Sequence, residues 1–151
     1  MGIPSKAAGF TLIEIMLVVI IIGILAAIAV PSFLIYRDKG RISQVIGTSE
    51  AVRAALASYA ASHINNDYPS TDTITDLGSL SAIVNLHGGT LPATGIFSVN
   101  HYGFYDSNAD GIADTYSMRL IVNGIAATTP GATILLTPQG IFKCTASGSP
   151  C

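Results

Sequence analysis

FTLIEIMLVVIIIGILAAIAVPSFLIY, residues Phe10–Tyr36, decides the fold. It holds a single charged side chain, Glu14, and from Ile15 to Val30 no polar side chain at all. As an α-helix rising about 1.5 Å per residue, Ile15–Ile35 spans close to the ~30 Å of a bilayer's hydrocarbon layer. An amphipathic surface helix needs a polar face, and none can be drawn here. The segment therefore belongs in lipid or against equally apolar helices. Burying it inside a soluble core would need more protein than the remaining residues supply.

The rest of the composition agrees. Half of the 151 residues are hydrophobic and 11% are charged, less than half the ~25% charge of ordinary soluble domains. Such a chain is too apolar to be disordered. Seven Lys and Arg against nine Asp and Glu give a net charge of −2, which offers no broad basic footprint for nucleic acid. The length allows about one domain with a sizeable core.

Residues 1–9 carry one basic side chain, Lys6, and end in Ala7-Ala8-Gly9. A basic start before an apolar run is also the layout of an ordinary secretory signal. Ala27-Ile28-Ala29 would be its cleavage site, leaving a soluble secreted binding module that starts at Val30. Two features oppose that reading: the apolar run continues through Phe33, Leu34 and Ile35, and Glu14 is badly placed within a signal's apolar region.

Gly9-Phe10-Thr11-Leu12-Ile13-Glu14 at the mouth of this helix resembles the start of a type IV prepilin, with its class III signal peptide and N-terminal methylation motif. Gly23, Pro31 in Ala-Ile-Ala-Val-Pro, and Tyr36 extend the resemblance, which covers roughly residues 1–62. It implies that residues 1–9 are a leader, that a prepilin peptidase cuts between Gly9 and Phe10, that the new amino terminus is methylated, and that the helix is retained. A retained helix can hold subunits together; a removed one cannot.

Glu14 then needs an explanation, because a carboxylate in the middle of a membrane span costs on the order of 2.5–3.5 kcal/mol. Cleavage creates an amine at Phe10, four residues away and on the same face of one helix, so it could pair with its own chain's Glu14 or with that of a neighbour. The resemblance implies that this amine pairs with Glu14 of a neighbouring subunit and sets axial register. The alternative is that Glu14, one turn from the helix end, simply reaches the headgroup layer. Pro31 cannot donate to the Ala27 carbonyl and Gly23 weakens the helix, so the stretch between them is the weakest. The resemblance implies that it extends in a fibre; a plain membrane-helix kink accounts for the same residues.

The character changes after Tyr36. Arg37, Asp38, Lys39 and Arg41 mark the exit from lipid, either as an interface anchor or as a solvated face. Ile42, Val45, Ile46, Val52, Leu56 and Tyr59 then form one helical stripe running to about His63, with Gln44, Glu50 and Arg53 off it. This predicts an amphipathic helix over 37–63 and an irregular connection over 64–94, with a short helical piece near Leu77–Leu86. Strand signals follow at Ile96–Tyr105, Thr115–Val122, Ala132–Thr137 and Ile141–Cys144, with turns at Asn123-Gly124 and Pro138-Gln139-Gly140. The expected architecture is α+β, the type IV pilin fold. An apolar anchor over 10–36 precedes a head over 37–151, whose helix packs on three or four antiparallel strands within 95–151.

Asp106-Ser107-Asn108-Ala109-Asp110-Gly111-Ile112-Ala113-Asp114 places oxygen side chains at alternate positions before a glycine, as in the first nine places of a calcium loop. Asp106, Asn108, Asp110, the Ile112 carbonyl and Asp114 would be the Ca²⁺ ligands. Ser117 stands where a bidentate Glu belongs, so affinity would be weak, on the order of 10⁻⁴–10⁻³ M. The alternative is a hairpin loop that uses Asp, Asn and Gly for their turn geometry. Cys144 and Cys151, the only cysteines, are expected to be oxidised together in an exported protein; free thiols or an intersubunit bond are the alternatives. His63, His87 and His101 lie far apart in sequence, and no phosphate loop or nucleophile elbow occurs, so neither enzymatic activity nor an organic cofactor is expected.

The resemblance implies a structural subunit that polymerises with copies of itself. It would reside in the inner membrane as a precursor, meet the peptidase and the assembly machinery, and end in an extracellular fibre. A pseudopilin of a type II secretion system is the alternative with the same helix.

Overall fold

The computed structural model describes residues 9–92, 95–144 and 151. All but the last residue of the expected leader, and residues 145–150 of the expected disulfide loop, lie outside these. In chain order the elements are α1 (Leu12–Ser62), α2 (Leu77–Leu86), β1 (Phe97–Tyr105), β2 (Thr115–Val122), β3 (Thr133–Thr137) and β4 (Gly140–Lys143). The chain divides into two units, residues 1–37 and 38–151.

In the first unit the helix starts at Leu12 because Thr11 caps it. The Glu14 amide donates to the Thr11 hydroxyl at 3.3 Å and to its carbonyl at 3.1 Å, which satisfies a donor that the first turn otherwise leaves orphaned. The helical assignment runs through Gly23 and Pro31 without a break. Beside Pro31, the Ser32 hydroxyl donates to the Ile28 carbonyl at 3.3 Å. Every described side chain of this unit is exposed.

In the second unit α1 buries Ile42, Val45, Ser49, Val52, Ala55, Leu56 and Ala60, close to the anticipated stripe. Ser49 is tolerated there because its hydroxyl donates back to the Val45 carbonyl at 2.7 Å. The sheet is an antiparallel meander in the order β1-β2-β3-β4. β2 alternates, so Tyr116, Met118, Leu120 and Val122 point inward with Ile134 and Leu136 of β3. Leu80, Ile83 and Val84 of α2 complete the same core. α2 begins on a reciprocal cap between Asp76 and Ser79, and it stops at Gly88, whose φ of +78° suits glycine. A Cβ at Gly89 would stand 2.6 Å from the Val84 side chain.

Two features depart from the sequence reading. β1 is not a simple alternating strand. Val99 pairs with Leu120 and His101 with Arg119, leaving Asn100 as a bulge. The extra residue switches the inward face, which is why Phe97 and Tyr102 are both buried. The basic residues after Tyr36 also have more to do than anchor or solvate. The Arg41 guanidinium donates to the Gly124 carbonyl at 2.6 Å and the Asn123 carbonyl at 3.3 Å. Arg53 does the same on the other hairpin, donating to Thr137 at 3.1 Å and Pro138 at 2.8 Å while pairing with Glu50 at 2.7 Å.

Arg53→Met keeps the aliphatic stem but leaves two turn carbonyls without their charged donor. We expect it to destabilise the head by about 1.5–3 kcal/mol and to lower Tm by several degrees. Glu50→Gln, which touches only the exposed arm of the pair, should cost less than about 1 kcal/mol. Thermal melts of the full chain in detergent check both, and equal melting of the two variants would refute the tie.

Candidate assembly site

The amino-terminal segment is the first candidate. Among the described residues, no heavy atom lies within 4 Å of where a Cβ at Gly9 would stand, and Phe10 is 79% exposed. Phe10 precedes the first helical residue, with Thr11 as the cap. In the chain with its leader attached, Phe10 and Glu14 therefore do not share a helix face as the spacing suggested. Thr11-x-x-Glu14 is a capping-box pattern that was legible in the sequence, and it gives Glu14 a place in the first turn, where the helix dipole favours a carboxylate.

From Leu12 to Tyr36 the surface is a continuous apolar one. None of the most apolar 18-residue window is buried. At ~1.5–3 kcal/mol for each large apolar side chain taken out of water, leaving this run in water would cost tens of kcal/mol. It is long and apolar enough to cross a membrane.

The acidic loop is organised by its own backbone. Asp106 accepts from the Gly111 amide at 2.7 Å and the Asn108 amide at 3.2 Å, and Asp110 accepts from the Ile112 amide at 2.8 Å. Asp114 accepts from the Ser107 hydroxyl at 2.6 Å and amide at 2.8 Å, bonds that hold its carboxyl below the usual aspartate range. Gly111 takes a φ of +86°. Each carboxylate oxygen used this way keeps a second lone pair, so the donor set suits a hard cation. Among the described residues no group of three or more His, Cys, Asp or Glu is arranged to hold a metal.

Cys144 and Cys151 are paired, with Cα atoms 4.9 Å apart. Cys144 is buried, and its amide continues the β3–β4 ladder by donating to Thr133 at 3.0 Å. The histidines, far apart in sequence, are partly gathered: Tyr59 stacks on His63 at 4.0 Å and meets the edge of His87 at 5.7 Å. A tyrosine cluster also escaped the sequence reading. Tyr68 and Tyr102 both pack on Tyr116. The buried Tyr102 hydroxyl donates to the Pro69 carbonyl at 2.8 Å, whereas the buried Tyr116 hydroxyl has no partner among the described residues. Burial, reinforced by neighbouring tyrosines, raises both phenols above the ordinary tyrosine value.

The model of the family described as "Prokaryotic N-terminal methylation motif" matches residues 4–30. Over this segment the chain is similar to type IV pilins. It is 38% identical over 71 residues to a fimbrial protein of Neisseria meningitidis serogroup A, covering 47% of this chain and 41% of the relative. It is 47% identical over 66 residues to type II secretion system core protein G of Pseudomonas aeruginosa, covering 44% and 45%. It is 52% identical over 52 residues to the type IV narrow pilus major component PilA5 of Thermus thermophilus, covering 34% and 45%. The matches span less than half the length of these curated relatives. No solved structure matches. A long amino-terminal helix followed by a small four-stranded antiparallel sheet is consistent with the type IV pilin fold.

Because Tyr102 and Tyr116 stay neutral in the folded head above the ordinary tyrosine pKa of ~10, the folded state there binds more protons than the unfolded one. Stability is therefore full below pH ~10 and falls as pH rises beyond it. Phenolate absorbance should show these two ionising only with unfolding. Tyr102→Phe should cost about 1 kcal/mol, whereas Tyr116→Phe, which deletes an unpaired hydroxyl, should be neutral or stabilising. Equal losses would refute the assignment of their partners.

Proposed function

We propose that this chain is the structural subunit of a type IV pilus. It is made as an inner-membrane precursor, cut between Gly9 and Phe10, methylated on the Phe10 amine, and polymerised with copies of itself through α1 into an extracellular fibre. The observation that carries this is the unbroken α1, apolar and exposed up to Tyr36. Such a surface must be covered, first by lipid and then by identical helices, and the role requires no catalytic step.

In that setting Glu14 lies among apolar helices, where its charge is tolerable only beside a cation. The Phe10 amine of an adjoining subunit supplies it. Bonds between ionised partners in a dry site are short and strong, so the pair fixes where each new subunit stops along the axis. Weakening at Gly23 and Pro31 belongs to this assembled state, where neighbouring helices can satisfy the freed backbone groups.

A pseudopilin of a type II secretion system is the second reading, favoured by the likeness to core protein G. Mass spectrometry of material sheared from cells separates the two. Long fibres whose subunits start at methylated Phe10 support the pilus, and a periplasmic product with the same start supports the pseudopilin. A soluble product starting at Val30 overturns both. Glu14→Gln should leave insertion and cleavage intact and lower the yield of sheared fibre by at least about tenfold, the equivalent of ~1.4 kcal/mol per joining event. An undiminished yield would show that Glu14 merely reaches the headgroups.

We also propose that the acidic loop takes Ca²⁺ weakly, through Asp106, Asn108, Asp110, the Ile112 carbonyl and Asp114. Its oxygen-only donor set supports this. Calcium at ~100-fold above its Kd would stabilise the head by about 2.7 kcal/mol. Tm should therefore rise by several degrees over a chelator control, and an unchanged Tm would overturn the site.

A further inference from the structure

The outward face of the sheet carries a polar cluster centred on a glycine. Beyond the Asn100 bulge Tyr102 points into the core, so His101, Gly103 and Tyr105 of β1 face outward. Opposite them on β2, Arg119 pairs with His101 and Ser117 with Gly103. Gly103 supplies the room. A Cβ there would stand 2.7 Å from the Tyr105 hydroxyl and 3.3 Å from His101 Nε2, so both side chains lie over bare backbone. The Ser117 hydroxyl donates to the Tyr105 oxygen at 3.2 Å, which leaves the phenolic proton to be donated outward. Arg119 is half-buried and has neither a hydrogen bond nor an ion pair among the described residues. None of the four strands contains an acidic residue. A guanidinium, an imidazole and two hydroxyls are thus gathered on one face with no carboxylate to answer them.

The complementary charge sits at the end of the same hairpin. Asp106, Asp110 and Asp114 fall in a stretch that includes no basic side chain, and Asp106 and Asp110 are exposed. The loop turns away from its own outward face: the Ala113 carbonyl accepts from the Tyr68 amide at 3.1 Å, and Tyr68 packs on the inward-pointing Tyr116. Its carboxylates bond within the loop, and none pairs with Arg119. We propose that the Arg119 cluster receives the Asp106 and Asp110 carboxylates of a second copy of this chain. A planar guanidinium flanked by hydroxyl donors suits a carboxylate. Site and ligand lie on different parts of the surface, so the contact does not close on itself and repeats from copy to copy, as a heterologous interface does. Three carboxylates outweigh one divalent cation, so a loop holding Ca²⁺ keeps the attraction. The proposal rests on the reading of the chain as a subunit that polymerises with itself.

The test measures fibre sheared from cells that express the full chain, with melts of the full chain in detergent as the control for folding. R119D and D110R should each lower fibre yield at least about tenfold, the equivalent of ~1.4 kcal/mol per contact. R119D/D110R should bring the yield back to within about threefold of wild type, because the reversed charges again meet across copies. An undiminished yield in R119D, or no recovery in a double variant that melts like wild type, overturns the contact. If D110R lowers Tm by disturbing the loop's own turn, R119K decides instead, since it keeps the charge and supplies an amine. Carbodiimide, which joins amines to carboxylates, should build a ladder of covalent dimers and trimers several times stronger in R119K fibres than in R119Q fibres of equal mass. Its cross-linked peptides should join position 119 to Asp106 or Asp110. Equal ladders, or cross-links confined to monomers, overturn the contact. Inorganic phosphate retained by the solubilised wild type and lost in R119Q, without the R119K ladder, assigns the cluster to a free anion and overturns the second copy. Wild-type cells that yield no fibre sink the polymer reading and this contact with it, whereas fibres indifferent to R119D sink the contact alone.

Discussion

Water cannot solvate the surface that α1 presents between Leu12 and Tyr36. An exposed apolar patch on an ordinary soluble monomer reaches only a few hundred Å², and this run is a full helix circumference with a single carboxylate. Everything else in the chain is compatible with that constraint or serves it. Glu14 sits in the first turn, where the helix dipole favours its charge. The basic residues begin where the apolar run stops. The polar, foldable part of the chain is kept to one side of it in sequence.

The head is built to be stable without help from that helix surface. Its core is closed by one stripe of α1, the inward faces of β2 and β3, and α2. Arg41 and Arg53 then tie the same helix to two separate turns of the sheet through carbonyl oxygens that would otherwise lack charged donors. A guanidinium suits this task because its planar fork reaches several acceptors at once. The disulfide between Cys144 and Cys151 adds a covalent closure where β4 ends.

Much of this was legible beforehand. β2 and α2 fall where the alternation and the breakers put them, and the other strands differ by one residue at their ends. The Asn100 bulge was not legible, because an extra residue changes which face turns inward without changing the composition of the strand. The partners of Arg41 and Arg53 were not legible either. They lie 82 to 85 residues away, and a residue that falls off an apolar stripe looks solvated until the sheet arrives beside it. For the acidic loop, the sequence pattern did not show which backbone amides its carboxylates accept from.

What the sequence determined by itself was whatever is encoded within a few neighbouring residues: the unbroken apolar run, the methylation motif within residues 4–30, the periodicity of each element and the residues that end it. Those signals are local because helix and strand periods repeat within a turn or a dipeptide. Only the tertiary structure decided which cations clasp which turns, that Tyr102 finds a partner while Tyr116 does not, and that Arg119 stands opposite His101 across the sheet. These outcomes depend on how distant segments close on each other, and no pattern within a single segment carries that geometry.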